Sequence, residues 1–282
     1  MVKKIFAKIY IWLILLFMYL PVLLLIAYSF SGATYIGESY GKFSFELYVD
    51  LFKSEKIMVA LGNTVLIAVI SAAVSTLIGT LGAIGAFYSK KKNKKIIDTI
   101  TQIPIVNAEI VMALSLTIMF VFLGNVIFRG ANLFSFWTLL IGHCVLGVPF
   151  VYISVKPKLQ QMDPSLYEAA IDLGATPRQA LTKVIVPEVL PGVLSGFLLA
   201  ITLSLDDFII TAFTRGSGLL SGENNIETLS TYIQSVIKRS AIPPAARALV
   251  SLIFLSVVIG VAVITIVRYK KSKKLLSKKG NF

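Results

Sequence analysis

The stretch DPSLYEAAIDLGATPRQALTKVIVP, from Asp163 to Pro187, is where an otherwise apolar chain combines polar punctuation with helical apolar spacing. Asp163 precedes Pro164, an acid at the N-cap followed by proline at the first helical position, where a missing N–H costs nothing. Leu166, Ala169, Ala170 and Leu173 recur at helical spacing, and Gly174 stands where helices stop. Thr176-Pro177 repeats the device, the pattern runs through Ala180, Leu181, Val184 and Ile185, and Pro187 ends it. Two short amphipathic helices joined by a glycine turn are predicted. Helices this short are unstable alone in water, so each needs a surface for its apolar stripe, either the protein's own cytosolic face or a partner.

Outward from this loop the chain is membrane-like. Its 282 residues are 56% hydrophobic and 15% charged, with a mean hydropathy of +0.84, outside the range of soluble domains. A helix needs ~20 apolar residues to cross ~30 Å of hydrocarbon. Six segments qualify, roughly 9–30, 60–88, 103–123, 133–155, 188–213 and 247–268. Their interiors favour helices over alternating barrel strands. The fold class predicted is an all-α membrane protein with six transmembrane helices, a single domain over 1–282 whose cytosolic loop is 156–187.

Orientation follows from the 27 basic residues, because Lys and Arg concentrate in cytoplasmic loops. Three precede the first span, five lie between the second and third, four in the 156–187 loop and seven in the tail from Arg268, against eight on the opposite side counting Arg247. Both termini and the 156–187 loop are therefore predicted to be cytosolic. The net charge of +13 is mostly this topology signal, with anionic headgroups of the bilayer as partner and no nucleic acid. Residues 9–30 are too long for a cleaved signal segment and read as a retained span. Cys144 is the single cysteine and His143 the single histidine, which excludes an internal disulfide and a Cys/His metal cluster. A lone imidazole bonded to a neighbouring helix is the ordinary reading of His143.

No G-x-x-x-x-G-K-[ST] stretch occurs, so nucleotide phosphates would be handled by another subunit. Gly79, Gly82 and Gly85, with Ser75 and Ala83, read as a small-residue face for close helix approach. Ionisable residues inside spans cost on the order of 2.5 to 3.5 kcal/mol at a helix centre and mark candidate sites. Here there are three acids. In continuous spans Glu109 would lie about 9 Å from the cytosolic side and Asp206 and Asp207 about 28 Å. Ser204, Asp207 and Thr211 would share a helix face, with Thr202 and Asp206 on an adjacent one. A cationic substrate would supply partners for these acids; protonation or bonds to neighbouring helices is the other reading. The 214–246 loop carries Ile226, Leu229, Ile233 and Val236 at helical spacing before Pro243-Pro244, a lid over the outer mouth or an interfacial helix. Residues 31–58 mix Glu38, Glu46, Asp50 and Glu55 with Lys42, Lys53 and Lys56, as a solvated surface does.

Glu168-Ala169-Ala170, then Gly174, then Val184-Ile185-Val186-Pro187 resembles the EAA loop of ABC-importer permeases, E-A-A-x3-G-x9-I-x-L-P, with Val184 and Val186 where Ile and Leu are usual. Leu203-Ser204-Leu205-Asp206-Asp207 and Glu109-Ile110-Val111-Met112-Ala113 look like stretches of the second permease subunit of spermidine/putrescine importers, where the position of Glu109 usually carries Asp. The resemblance implies the type I ABC importer permease fold in a bacterial cytoplasmic membrane. It also implies that Glu168, Ala169, Ala170, Gly174 and Pro187 couple to an ATPase dimer that holds ATP and Mg, this chain itself needing no cofactor. A second homologous permease and an extracytoplasmic polyamine-binding protein complete the expected assembly. Glu109, Ser204, Asp206, Asp207 and Thr211 are the expected substrate path, since polycations with methylene spacers suit separated carboxylates between apolar walls. A permease for another solute, an ion-coupled secondary transporter and a membrane scaffold are the alternatives; the second lacks a clear inverted repeat.

Overall fold

A computed structural model describes residues 2–32, 41–163, 165–216, 226–238, 244–255 and 258–259, with side chains from Lys8 onward. Among them the chain is helical, apart from an isolated antiparallel bridge between Ser31 and Phe43. It forms two compact units, one of residues 1–58 and 233–282 and one of 59–232.

The first unit contains α1 (Val2–Ser29), α2 (Glu46–Lys53) and the apolar helix α12 (Pro244–Leu255). In α1 no residue from Lys8 to Tyr28 is buried, as suits a helix bathed in lipid. Where α1 ends, polar groups find partners: Ser29 donates to the Ile26 carbonyl at 2.7 Å and lies 2.9 Å from the Tyr48 hydroxyl, which donates to Ser251 at 3.2 Å. Phe30 stacks on Phe43 at 5.5 Å and meets Phe45 edge-on. The sequence count placed Arg247 among loop residues; it lies instead in α12 with 1% of its surface exposed. Of the expected sixth span, 247–268, all but 247–255 and 258–259 falls outside the described residues.

The second unit is built around α6 (Phe136–Gln161). With it come α3 (Glu55–Phe87), α4 (Lys91–Val106), α5 (Glu109–Phe122), α7 (Ser165–Asp172), α8 (Pro177–Ala180), α9 (Val186–Asp206), α10 (Ile209–Thr214) and the start of α11 (Leu229–Ile237), α3 before Val59 and α11 beyond Tyr232 belonging to the first unit. The small residues explain the packing. A Cβ at Gly79 of α3 would lie 2.7 Å from the Val151 Cβ, and one at Gly147 of α6 would lie 2.6 Å from the Ser75 hydroxyl. On the other side of α6, a Cβ at Gly192 would lie 2.9 Å from the Ser154 carbonyl oxygen and one at Gly196 3.0 Å from the Val151 Cα. Without side chains at these positions α3 and α9 close on α6 backbone to backbone, which is how helices gain contact where lipid supplies no hydrophobic drive. Ala72, Ala83, Val151, Tyr152, Val155, Leu159, Ile185 and Val189 fill the seam. The expected close-approach face of α3 is thus present at Gly79 and Ser75; Gly85 faces open space.

Among the described residues, five helical stretches are long and apolar enough to span a membrane: Lys8–Ser29, Glu55–Phe87, Glu109–Ile127, Phe136–Gln161 and Pro177–Asp206. Three boundaries depart from expectation. The third span starts at Glu109, because the chain breaks at Asn107 and Ala108, whose backbones are extended. The fifth ends at Asp206, with extended Asp207 separating it from α10. Pro187 ends nothing. It sits in the first turn of α9, and a π-helical turn, Leu181–Ile185, carries the chain without interruption from α8 into α9. A proline ring clashes with the carbonyl four residues before it, and the wider π turn just ahead of Pro187 relieves that clash.

The start of α11 is tied to α3: Thr64 accepts from the Leu229 N–H at 2.8 Å, and Asn63 donates to the Glu227 carbonyl at 3.1 Å. Residues 226–232 are therefore pinned to protein, not laid on lipid.

Candidate functional site

The Asp163–Pro187 loop folds locally. Asp163 Oδ1 accepts from the Ser165 backbone and hydroxyl at 2.9 and 2.8 Å, and these bonds hold the exposed carboxyl below the usual range. Pro164 lies outside the described residues. α7 stops at Gly174, whose φ of +87° is the left-handed conformation glycine adopts without a Cβ penalty. Ala175 N–H bonds Ala170 C=O at 3.0 Å and Gly174 N–H bonds Ile171 C=O at 2.9 Å, a Schellman motif. Thr176 and Gln179 then cap each other reciprocally, at 3.3 and 3.0 Å. Ala170 is buried, whereas Glu168 and Ala169 are exposed. Leu173, at the tip, is 90% exposed. The loop presents a rigid two-helix wedge with an unsatisfied apolar point.

The second candidate region surrounds the break in the fifth span. Asp207, Ser204 and Thr211 are buried, while Asp206 is exposed. Asp207 Oδ1 accepts from Ile210 N–H at 3.1 Å; its Oδ2 accepts from Thr211 N–H at 2.8 Å and the Thr211 hydroxyl at 2.9 Å. Its own N–H bonds Leu203 C=O at 3.1 Å, and its carbonyl accepts from Ser230 at 2.7 Å. Asp207 is thereby committed to starting α10, a carboxylate on the first-turn N–H groups of a short helix. His143 of α6 lies between the two segments, Nδ1 2.7 Å from the Ser204 hydroxyl, Nε2 3.0 Å from that of Thr211 and 3.6 Å from Asp207 Oδ2.

Glu109 is exposed in the first turn of α5. Ala113, one turn on, packs with Leu146 and Ile210, against which Leu203 and Ile209 also rest. Thr117 donates to the Phe213 carbonyl at 3.1 Å, so α5 and α10 run parallel in register. Ala113 and Ile210 therefore share a level, with Glu109 one turn before Ala113 and Asp206 on the far side of the break before Ile210. Counting along a continuous helix misplaced Glu109. From Asp98 to Ala113 a straight helix would rise about 22 Å. Yet Asp98 bonds Tyr152 while Ala113 packs on Leu146, six residues or about 9 Å apart on α6; the break at Asn107 absorbs the difference.

The model of the family described as binding-protein-dependent transport system inner membrane component matches residues 77–271. The chain belongs to that family. It is a permease component of an ABC importer, a membrane transport subunit and not an enzyme. Among its relatives, the spermidine/putrescine transport system permease protein PotC of Escherichia coli K12 is 31% identical over 90% of each chain. The PotC of Haemophilus influenzae is 29% identical over 96% of each. The putrescine transport system permease protein PotI of E. coli K12 is 30% identical over 84% of this chain and 81% of its own. In fold it resembles a bacterial ABC transporter for import of the acidic polysaccharide alginate, with a TM-score of 0.68, 16% identity and 95% of each chain covered. A second structure of a bacterial alginate ABC transporter, in complex with an alginate pentasaccharide-bound periplasmic protein, gives a TM-score of 0.68 at 21% identity, covering 94% and 91%.

Within this permease the Asp163–Pro187 loop and the stretches around Glu109 and Asp207 lie inside the matched 77–271. The structure brings Ser204, Asp207 and Thr211 together and leaves Asp206 and Glu109 outside their network. Sequence reasoning did not find Ser71, which donates to Ser204 at 3.2 Å, nor the clasp between α4 and α6. There Lys156 pairs with Asp98 at 2.8 Å and the Tyr152 hydroxyl donates to it at 2.6 Å. Burial pushes the Asp98 carboxyl up, but the bonds from Lys156 and Tyr152 and the charges of Lys156 and Lys94 outweigh it and hold the group below the usual carboxylate range. Signals existed for both, a serine and an acid on otherwise predictable helices, but partner choice over such separations has no local signature.

Proposed function

We propose that this permease imports polyamines, spermidine or putrescine, across the cytoplasmic membrane by alternating access. It works with a second homologous permease, two copies of an ATPase that hold ATP and Mg, and an extracytoplasmic polyamine-binding protein. All 282 residues serve as one six-span permease domain with cytosolic termini. The observation that carries the reading is the 31% identity to a spermidine/putrescine permease over 90% of both chains. The chemistry agrees in sign. Glu109 and Asp206 are exposed carboxylates beside helix breaks, and a primary ammonium bonds a carboxylate with charge assistance. Leu203, Ile209 and Phe150 nearby would line the path for methylene spacers. Asp207, Ser204 and Thr211 belong to the path as the scaffold that holds it.

The loop would transmit the drive. Glu168, Ala169, Ala170 and Gly174 shape the wedge, and Leu173 and the exposed face of α7 would seat in a groove of the ATPase. Closure of the ATPase pair on ATP would pull the wedge. Because α8 continues through the π turn and Pro187 into α9, the pull would act on the fifth span without a slack linker between them.

The test is uptake of labelled spermidine into proteoliposomes holding the complete importer. ATP-dependent uptake that persists with the proton gradient collapsed, falling about tenfold or more in Asp206→Asn with assembly intact, is the expected result. Uptake driven by a proton gradient without ATP would instead make the acids proton sites. Polyamine uptake at background, with another solute carried, would overturn the substrate.

A further inference from the structure

Ser204 and Thr211 are seven residues apart, about 10 Å along a continuous helix, yet both hydroxyls bond the two nitrogens of the one imidazole of His143. The chain between them is therefore folded back on itself at Asp207 and Phe208. His143 closes this fold from a different helix.

The proton positions are determined by what each atom can do. A carboxylate only accepts, so the single hydroxyl proton of Thr211 goes to Asp207 Oδ2. Thr211 Oγ1 must then accept from His143, which places the ring proton on Nε2. In the neutral ring Nδ1 is then left as an acceptor, so Ser204 donates to it, and the Ser71 hydroxyl of α3, shared with the Ala68 carbonyl at 3.3 Å, reaches Ser204 at 3.2 Å. The result is one directed chain, Ser71 to Ser204 to His143 to Thr211 to Asp207, linking α3, α9, α6 and α10, with no hydroxyl spare. Its end, the Asp207 carboxylate, holds the N–H groups of Ile210 and Thr211 in the first turn of α10. Immediately before it in sequence is Asp206, which takes no part and is exposed.

We propose that His143 is a positioning residue for translocation: by stapling the end of α9 to the start of α10 it keeps the break in the fifth span open and sets where the Asp206 carboxylate is presented. This rests on the reading of Asp206 as part of a polyamine path. The two side chains do not touch; His143 acts through the backbone between Ser204 and Thr211. Only a residue with an acceptor and a donor at one tip can bridge a donating serine and an accepting threonine. Glutamine retains that pair of functions, and leucine keeps bulk alone.

The experiment uses the complete importer in proteoliposomes and two readouts. First, in a Cys144→Ala background, which removes the one native cysteine, Asp206→Cys is labelled with a water-soluble cationic thiol reagent. Adding His143→Leu should change the labelling rate about tenfold, and His143→Gln should restore most of it. Second, with Asp206 intact and saturating binding protein, His143→Leu should lower maximal spermidine uptake about tenfold while the concentration giving half-maximal uptake stays set by the binding protein, with partial rescue by His143→Gln. Labelling and uptake unchanged by His143→Leu would overturn the proposal, as would equal losses in His143→Leu and His143→Gln with both complexes assembled. If His143→Leu alters labelling at position 206 but Asp206→Asn transports normally, the staple stands and the polyamine path through Asp206 falls.

Discussion

The Asp163–Pro187 loop and the break in the fifth span use the same vocabulary, an acid, a threonine and an interrupted helix, and differ in where each finds its partners. In the loop every stabilising bond closes within five residues: Asp163 to Ser165, Thr176 to Gln179, Ala175 to Ala170. At the break, His143 reaches Ser204 and Thr211 across 61 and 68 residues, and Ser71 reaches Ser204 across 133. Locally capped structure can be carried on an exposed surface and docked to a partner. Structure capped across the fold exists only when the helices around it are packed.

That difference is sharpest in the glycines. Gly192 is required by its neighbours, since a Cβ there would lie 2.9 Å from the Ser154 carbonyl oxygen, with the Val155 Cα at 3.3 Å. Gly174 is required by its own φ and has open space around it. Gly192→Val should separate α9 from α6 and cost about 3 kcal/mol or more, on the order of the strongest overpacking penalties. Loss of monodisperse protein after detergent extraction would be the sign. A Gly192→Val protein with unaltered thermal stability would mean that the α6–α9 seam is looser than drawn.

Next in size is Asp207→Asn. The amide keeps the volume but loses charge and offers a donor where only an acceptor fits, so we expect a loss of about 2 kcal/mol and a lowered unfolding temperature. Asp206→Asn should leave stability unchanged while affecting uptake. Equal destabilisation by the two would erase the division between a scaffold acid and an exposed one. The sequence displays both acids side by side and cannot divide them, because the division is made by where the helix ends. An uninterrupted apolar periodicity from 188 to 213 hides that end; the energy that breaks it is supplied by the His143 network, Ser230 and the first turn of α10. The break before Glu109 was hidden in the same way. By contrast the first loop helix, the Gly174 stop and the Thr176-Pro177 start are legible in the sequence, since propensity, cap and turn chemistry all act within a few positions. Pro187 was misread because a proline after an apolar run signals an end, whereas a π turn upstream lets the helix continue.

In the loop itself, Gly174→Ala should cost about 1 kcal/mol, the penalty for an L-residue in the left-handed region, without disturbing α6 or α9. On the proposed function its signature is that uptake should fall while spermidine binding to the extracytoplasmic protein is untouched, because the wedge changes shape and the path does not. A Gly174→Ala importer that transports at the normal rate would show that the Schellman turn is not what the ATPase grips.

The smallest effect belongs to the Asp98 clasp, which shares features of both regions, a long-range contact made at a partly solvated surface. Asp98 and Lys156 keep 21% and 25% of their side-chain surface in water, so screening limits the pair, and Asp98→Asn should cost ~1 kcal/mol or less at pH 7. The sign of its pH dependence follows from the lowered carboxyl. A group whose folded value lies below the unfolded one, about 3.9, contributes stability that is complete above the unfolded value and is lost as pH falls through the folded one. The stability difference between the native chain and Asp98→Asn should thus be flat from about pH 5 to 8 and shrink below about pH 4, as read by thermal unfolding in detergent. No stability difference between the two at any pH would mean that Tyr152, whose hydroxyl can still donate to the amide oxygen of the substituted side chain, and not Lys156, fastens α4 to α6.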